Sequence, residues 1–249
     1  DHTTLILFRL PLLNPSANSD IPYVTRPLAM VFKDHRLFTI CLTENPILDD
    51  FLEGKVKNFD PTQHLRVVLQ VFYRTAIRYL RYLRELNTRS NLIELELQKS
   101  QKNADLIKLP NYEKSLVFFT TSLRSNQIMI DRFKRTRFFR QAAEEERDLL
   151  EDITIDMTQA IEMANIYTTN LSGLMDAFAS VISNNLNSVM KTLTQITIIL
   201  MVPTFVASLY GMNVSLPGQD SPWAFSVLLG ICLLLFVGGY LLFSNRKLF

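Results

Sequence analysis

Asn187, Met190, Thr194, Thr197, Met201, Thr204 and Ser208 recur at alternating intervals of three and four residues. On a helix that interval stacks side chains along one face. All seven are polar or thioether side chains. The other faces carry Val189, Leu193, Ile196, Ile198, Ile199, Leu200, Phe205 and Val206, which suit lipid or neighbouring helices. Carboxamide and hydroxyl oxygens are neutral acceptors. Gathered from several copies around a shared axis, they would form a wet tube whose rings accept hydrogen bonds from the water shell of an ion. Mg2+ is the cation such rings suit, being small, octahedral and reluctant to lose water. Met190, Leu193 and Met201 would narrow the tube with apolar collars, which can gate by dewetting. The same stripe can instead hydrogen-bond another helix, as Ser and Thr do inside membranes.

Tyr210-Gly211-Met212-Asn213 ends this run. A glycine just past a helix can take the left-handed conformation that terminates it. Asn213 would then lie at the outer mouth, its side-chain oxygen forming a further acceptor ring. Gly211, Met212 and Asn213 are therefore the candidate selectivity filter.

Such a stripe needs a scaffold that crosses lipid. Thr192 to Tyr210 and Ala224 to Phe243 contain no Lys, Arg, Asp or Glu. Each is close to the ~20 residues a membrane-spanning helix requires. Upstream, Gln141 to Tyr210 holds no proline before Pro203 and no glycine except Gly173. As one helix it would measure ~105 Å at 1.5 Å per residue. It reads as a stalk that starts in the cytoplasm and enters the membrane, with a local kink at Pro203 that neighbouring helices can tolerate. The seam continues backwards through Ser183, Ser180, Asp176, Gly173, Thr169, Ile166, Glu162, Gln159, Ile155 and Asp152. A two-stranded coiled coil would place Leu and Ile at these positions; a seam this polar is suited to water.

Charge divides the chain. The net charge is +2, and only Asp220, Arg246 and Lys247 follow Thr192 among the charged residues. Residues 1–191 thus form a water-soluble part large enough for its own core. Acids and bases are nearly balanced there, and nothing asks for nucleic acid. The run from Arg132 to Arg137 reads as a solvated helix face, with a membrane-facing basic patch as the alternative. Cys41 in the soluble part and Cys232 in the second span are not placed to pair, which fits a reducing cytoplasm. Lys191 precedes the first span, Arg246 and Lys247 follow the second, and the intervening turn has neither Lys nor Arg. The positive-inside rule then puts both termini in the cytoplasm and the turn outside.

Residues 1–43 read as β. One strand covers Leu5 to Leu13, and Leu28 to Phe32 with Leu37 to Leu42 reads as a hairpin around Lys33-Asp34-His35-Arg36. No signal peptide is visible, and the abrupt strand-like start predicts further sequence of the same domain upstream. His64 to Leu86 reads as a helix behind Pro61. Asn91 to Leu106 and Asn111 to Phe133 read as two more, an antiparallel pair projecting from the domain with Pro110 between them.

Tyr-Gly-Met-Asn at the end of the first of two C-terminal spans resembles the CorA family of divalent-cation channels. The stretch Asn187 to Asn213 resembles that family's pore helix throughout, including Met190, Lys191, Leu193, Met201, Pro203, Thr204 and Phe205. Gly173 and Asp176 resemble its stalk. The resemblance covers the chain, in residues over 141–249 and in layout over 1–140. It implies an α+β membrane protein in the plasma (inner) membrane, assembled as a funnel-shaped homopentamer. An αβα cytoplasmic domain would occupy 1–140, the cytoplasmic stalk 141–191 and the first transmembrane pore helix 192–213. The outer loop would be 214–222, and the second span with its basic tail 223–249. The resemblance also implies closure by intracellular Mg2+ held between a stalk carboxylate and one from the neighbouring subunit, with opening when the ion leaves. Asp152 matches the stalk position, Asp20 is the candidate for the second ligand, and Asp176 is a further metal candidate. Asp152 and Asp20 read otherwise as solvated acids. Two features depart from the family. The outer loop carries one acid, Asp220, where many relatives have an acidic Met-Pro-Glu-Leu-type loop, and the basic tail is only Arg246 and Lys247. Co2+ and Ni2+ are secondary candidate ions, and ZntB-type zinc transporters share Gly-Met-Asn, so Zn2+ stays an alternative.

No enzyme is expected. The seven glycines leave little room for a phosphate loop, and His2, His35 and His64 lack metal-ligand spacing. A reading of another class is a non-conducting, membrane-anchored sensor, for which a polar seam through the membrane has no use.

Overall fold

A computed structural model describes residues 3–16, 20–33, 36–99, 107–214, 216–218 and 221–245. His2, Asp34, His35, Asp220, Arg246 and Lys247 lie outside them. Three antiparallel strands, β1 (Thr4–Leu13), β2 (Tyr23–Lys33) and β3 (Arg36–Cys41), form a sheet in the order β1-β2-β3. Thr4 pairs with Phe32 and Leu13 with Tyr23, so β2 begins five residues before the expected Leu28. Alternation decides which side is wet. Ile6, Phe8, Leu10 and Leu12 are buried, whereas Leu5, Leu7, Phe38 and Ile40 are exposed. Pro27 lies within the central strand, but β3 pairs only from Leu28 onward, so its missing N–H costs no ladder bond on that side.

Helices α1 (Pro46–Leu52), α2 (His64–Lys99), α3 (Leu109–Lys134) and α4 (Arg137–Arg140) follow. α2 and α3 cover the buried face. Phe8 stacks on Phe72 with ring centroids 4.3 Å apart, and Tyr23 lies against Tyr82 and Phe119. Polar side chains of α3 meet strand backbone directly. The Asn126 amide accepts from Arg9 N and donates to Arg9 O, both at 2.8 Å. Ser115 Oγ accepts from Tyr23 N and donates to Tyr23 O. These bonds satisfy buried groups that would otherwise cost free energy.

Three expectations differ from the fold. No new helix starts at Asn91, because α2 runs unbroken to Lys99; residues 100–106 lie outside the described set. Pro110 does not separate helices but sits in the first turn of α3, where no intrahelical N–H bond is lost. Nor does α3 project. Leu116, Phe119, Leu123, Ile130 and Phe133 bury one of its faces in the core.

The remaining helices are α5 (Glu144–Tyr210) and α6 (Ala224–Asn245). Glu144, Glu145 and Glu146 lie in the first turn of α5, where acids oppose the helix dipole, and Glu146 accepts from the Ala143 backbone N–H. The chain forms two compact units, Asp1–Asp176 and Ala177–Phe249. The first therefore extends past residue 140, because α5 buries Leu150, Ile153, Met157, Ala160, Ile161, Ala164 and Leu171 within it. In the second unit α5 runs through Pro203 without interruption. Both α5 and α6 contain a stretch long and apolar enough to cross a membrane.

Candidate pore face and cation site

Every position of the seven-residue stripe from Asn187 to Ser208 is exposed in the single chain. In this stretch of α5 the partly covered residues include Gln195, Ile199, Pro203 and Val206. At 100° per residue these lie about half a turn from the stripe. α6 packs on that opposite side. The Cys232 Sγ donates to the Pro203 carbonyl at 3.7 Å, and a Cβ added at Gly239 would meet the Ile199 side chain at 3.6 Å. Apart from Phe243 beside the stripe's start, the contacts of α6 thus fall away from the polar stripe.

The threonines of the stripe share one arrangement. Thr194, Thr197 and Thr204 each donate the hydroxyl hydrogen to the carbonyl four residues earlier, at 2.7–2.8 Å. That bond uses the hydroxyl's single donor and leaves oxygen lone pairs for a further partner. The face it presents accepts hydrogen bonds, which is what the waters of a hydrated cation require. Met190 and Met201 alternate with these hydroxyls and are also exposed, as is Leu193 at the stripe's edge. Beside the stripe's start, Asn184, Asn187, Lys191, Thr194 and Phe243 line a cleft of about 640 Å3.

Gly211 departs from expectation. It does not adopt a positive φ; the positive-φ glycines are Gly54 and Gly218. Its N–H bonds the carbonyls of Ala207 and Ser208, so the helical hydrogen bonding simply runs out over the next residues. A Cβ at Gly211 would meet those two carbonyl oxygens at 3.5 Å, an ordinary contact. Among the described residues, nothing requires glycine there. Met212 and Asn213 are exposed beyond it. Tyr210 and Trp223 flank this tip and are 45% and 72% exposed, amphipathic rings of the kind that settle at membrane interfaces.

The acidic candidates do not converge within one chain. Asp152 and Asp176 are exposed on α5, and Asp20 is exposed ahead of β2. Among the described residues no group of three or more His, Cys, Asp or Glu side chains could hold a metal ion. Asp152 does have a neighbour that sequence reasoning missed. Asp156, one turn along, has its carboxyl pushed above the ordinary range by burial and then by the Asp152 charge, against a lowering from Arg84. The i,i+4 acid pair was visible in the sequence; its partial burial was not. Two carboxylates on one face supply part of a divalent-cation site and leave the remaining ligands to come from elsewhere.

The profile of the family described as "CorA-like Mg2+ transporter protein" matches residues 1–247. The chain is 27% identical over 246 residues to the cobalt/magnesium transport protein CorA of Methanocaldococcus jannaschii, covering 94% of this chain and 74% of that one. The complete structure of the CorA magnesium transporter from the same organism superposes with a TM-score of 0.81 at 25% identity, over 99% of this chain and 77% of that one. The cytoplasmic domain of ZntB from Vibrio parahaemolyticus superposes at 0.56 with 11% identity, over 76% of this chain and 71% of that one, which is a likeness of fold alone. Polar stripe, two apolar helices, small sheet and whole-length match agree: this chain belongs to the CorA family of magnesium transporters.

Proposed function

We propose that this protein is a passive channel for hydrated Mg2+, with Co2+ and Ni2+ as secondary ions, closed by intracellular Mg2+. The observation that carries the reading is the unbroken exposed stripe from Asn187 to Ser208, set opposite the α6 contact and lined with hydroxyl and amide acceptors. Copies arranged around an axis, five in the family's manner, would bring these acceptors together. Their net neutrality favours an ion that keeps its water over one that must be stripped. Asn213 would ring the outer mouth, and Met190, Leu193 and Met201 would form the dewetting collars. Both termini would be cytoplasmic and the Gly211–Trp223 tip outside, in a plasma (inner) membrane.

Asp152 and Asp156 would hold the closing Mg2+ together with a carboxylate from another subunit, for which Asp20 is the candidate. Bound there, the ion would supply only charge neutralisation, screening the Asp152 repulsion that adds to burial in raising the Asp156 carboxyl. No catalytic step is assigned to any residue.

The test is cation entry into liposomes carrying the purified protein, run with Mg2+, Co2+, Ni2+ and Zn2+. Mg2+ entry down its gradient, lost in Asn213→Ala, is the expected result. No entry, or the same rate in the variant, would leave the anchored-sensor reading instead. Entry of Zn2+ alone, driven by a proton gradient, would turn the assignment to a zinc carrier.

A further inference from the structure

A strongly basic cleft lies in the first unit. The loop of residues 55–58, one face of α2 and Leu149 of α5 enclose about 570 Å3. Lys55, Lys57, Arg66, Arg74, Arg78 and Arg81 line it, and no carboxylate does. The acids that pair with these cations are Asp50, Glu53 and Glu145, so six positive charges meet three negative ones. Lys57 and Arg81 make no ion pair among the described residues and are exposed, although the Glu85 carboxylate one turn on from Arg81 feels its charge.

The cleft is also pre-arranged. One Asp50 oxygen holds Arg74 at 2.6 Å and Arg78 at 3.5 Å. Arg74 donates in addition to the Lys55 carbonyl at 3.1 Å and lies over the Phe51 ring. Gln70 ties the loop to α2 by donating to the carbonyls of Lys57 and Asn58, and its own side-chain oxygen is buried without a partner. Between the arginines, Tyr73 and Ile77 expose 41% and 43% of their surface on the same helix face. A merely solvated basic face would show neither fixed guanidinium groups nor an apolar strip between them.

We propose that this cleft binds a polyphosphate anion, and specifically a nucleoside polyphosphate. Guanidinium forks match phosphate oxygens, and the cluster's uncompensated charge asks for more than one phosphate. Tyr73 and Ile77 offer a flat ring the apolar wall that small-molecule sites use for orientation. The proposal goes beyond ion transport and does not rest on it.

The full chain, purified in detergent and stripped of divalent cations, is titrated calorimetrically with ATP, tripolyphosphate and AMP. ATP and tripolyphosphate should bind, with AMP at least about tenfold weaker. The Lys57→Glu/Arg81→Glu variant should lose at least about tenfold in ATP affinity, and Lys57→Gln/Arg81→Gln should lose less. Tyr73→Ala should weaken ATP and leave tripolyphosphate unchanged, which separates a nucleotide from inorganic polyphosphate. No heat with either polyphosphate up to about 1 mM, or undiminished affinity in both charge variants, would overturn the site. Equal weakening of both anions by Tyr73→Ala would overturn the ring contact.

Discussion

Helix α5 has two halves with opposite relations to their own chain. From Glu144 to Asp176 it buries Leu150, Ile153, Met157, Ala160, Ile161, Ala164 and Leu171 at coiled-coil intervals while the seam Asp152, Ile155, Gln159, Glu162 stays exposed. From Ala177 to Tyr210 no residue is buried, and the apolar Leu186, Val189, Leu200 and Phe205 are as open as the threonines. The first half is specified by packing inside the monomer. The second carries two exposed surfaces, apolar flanks suited to lipid or neighbouring helices and a polar stripe that, on the proposed function, faces water. On the proposed function, a helix with both is complete only in a membrane and in company. The stripe's 3.5-residue period drifts about 20° per heptad on a straight helix, so lining one axis along its length calls for a left-handed supercoil of several copies.

The largest effect expected is in the second half. Thr204→Lys would put a fixed cation inside the acceptor ring, and its repulsion should lower Mg2+ entry into liposomes at least about 100-fold. Ile198→Val, off the stripe, should leave the rate near that of the parent chain. Comparable losses from both would remove the distinction between faces.

In the first half the same contrast is read as stability. Ile153→Ala, at a fully buried position, should cost about 2–5 kcal/mol in denaturant unfolding. Ile155→Ala, two residues on and 59% exposed, should stay within about 0.5 kcal/mol. Equal losses would mean that the exposed seam is covered by another copy, which would bring the two halves closer in kind.

The smallest effect concerns Asp152. A carboxyl held above its ordinary 3.8 costs stability once charged, and that cost is absent at pH values well below 3.8. Asp152→Asn removes the second of the two causes that raise Asp156, burial being the first. The variant should therefore melt slightly higher than the parent chain near neutral pH without Mg2+ and alike in strong acid. It should also lose Mg2+ protection against proteolysis. Unchanged protection at all Mg2+ concentrations would count against a regulatory role.

Much of this was legible from local pattern. The two apolar spans follow from composition and the alternation in β1 from a two-residue period, and both stand in the fold where those patterns put them; the polar stripe shares one helix face, and its lining role is the proposal made above. Part of what escaped depended on contacts remote in sequence, and part on helix ends that no residue marked. The continuation of α2 past Asn91 follows a stretch supported by the Glu85–Arg89 pair, and it had no proline or glycine to mark a break in either direction. The burial of α3 arises from pairings such as Asn126 with Arg9, 117 residues apart. The basic cleft is assembled from a loop and a helix face that a one-dimensional charge count averages away. Gly211 was expected to be left-handed by analogy with helix ends in general; here the helix frays without needing a positive φ.

The central claim is that the stripe faces water within the membrane-embedded assembly. Single cysteines placed at Thr197, Thr204, Ile198 and Phe205, in a chain with Cys41 and Cys232 replaced by Ser, can be reacted in intact membranes with a charged, membrane-impermeant thiol reagent under Mg2+-free conditions. The account predicts rapid modification at 197 and 204 and little at 198 and 205. Modification at 198 and 205 with none at 197 and 204 would contradict it.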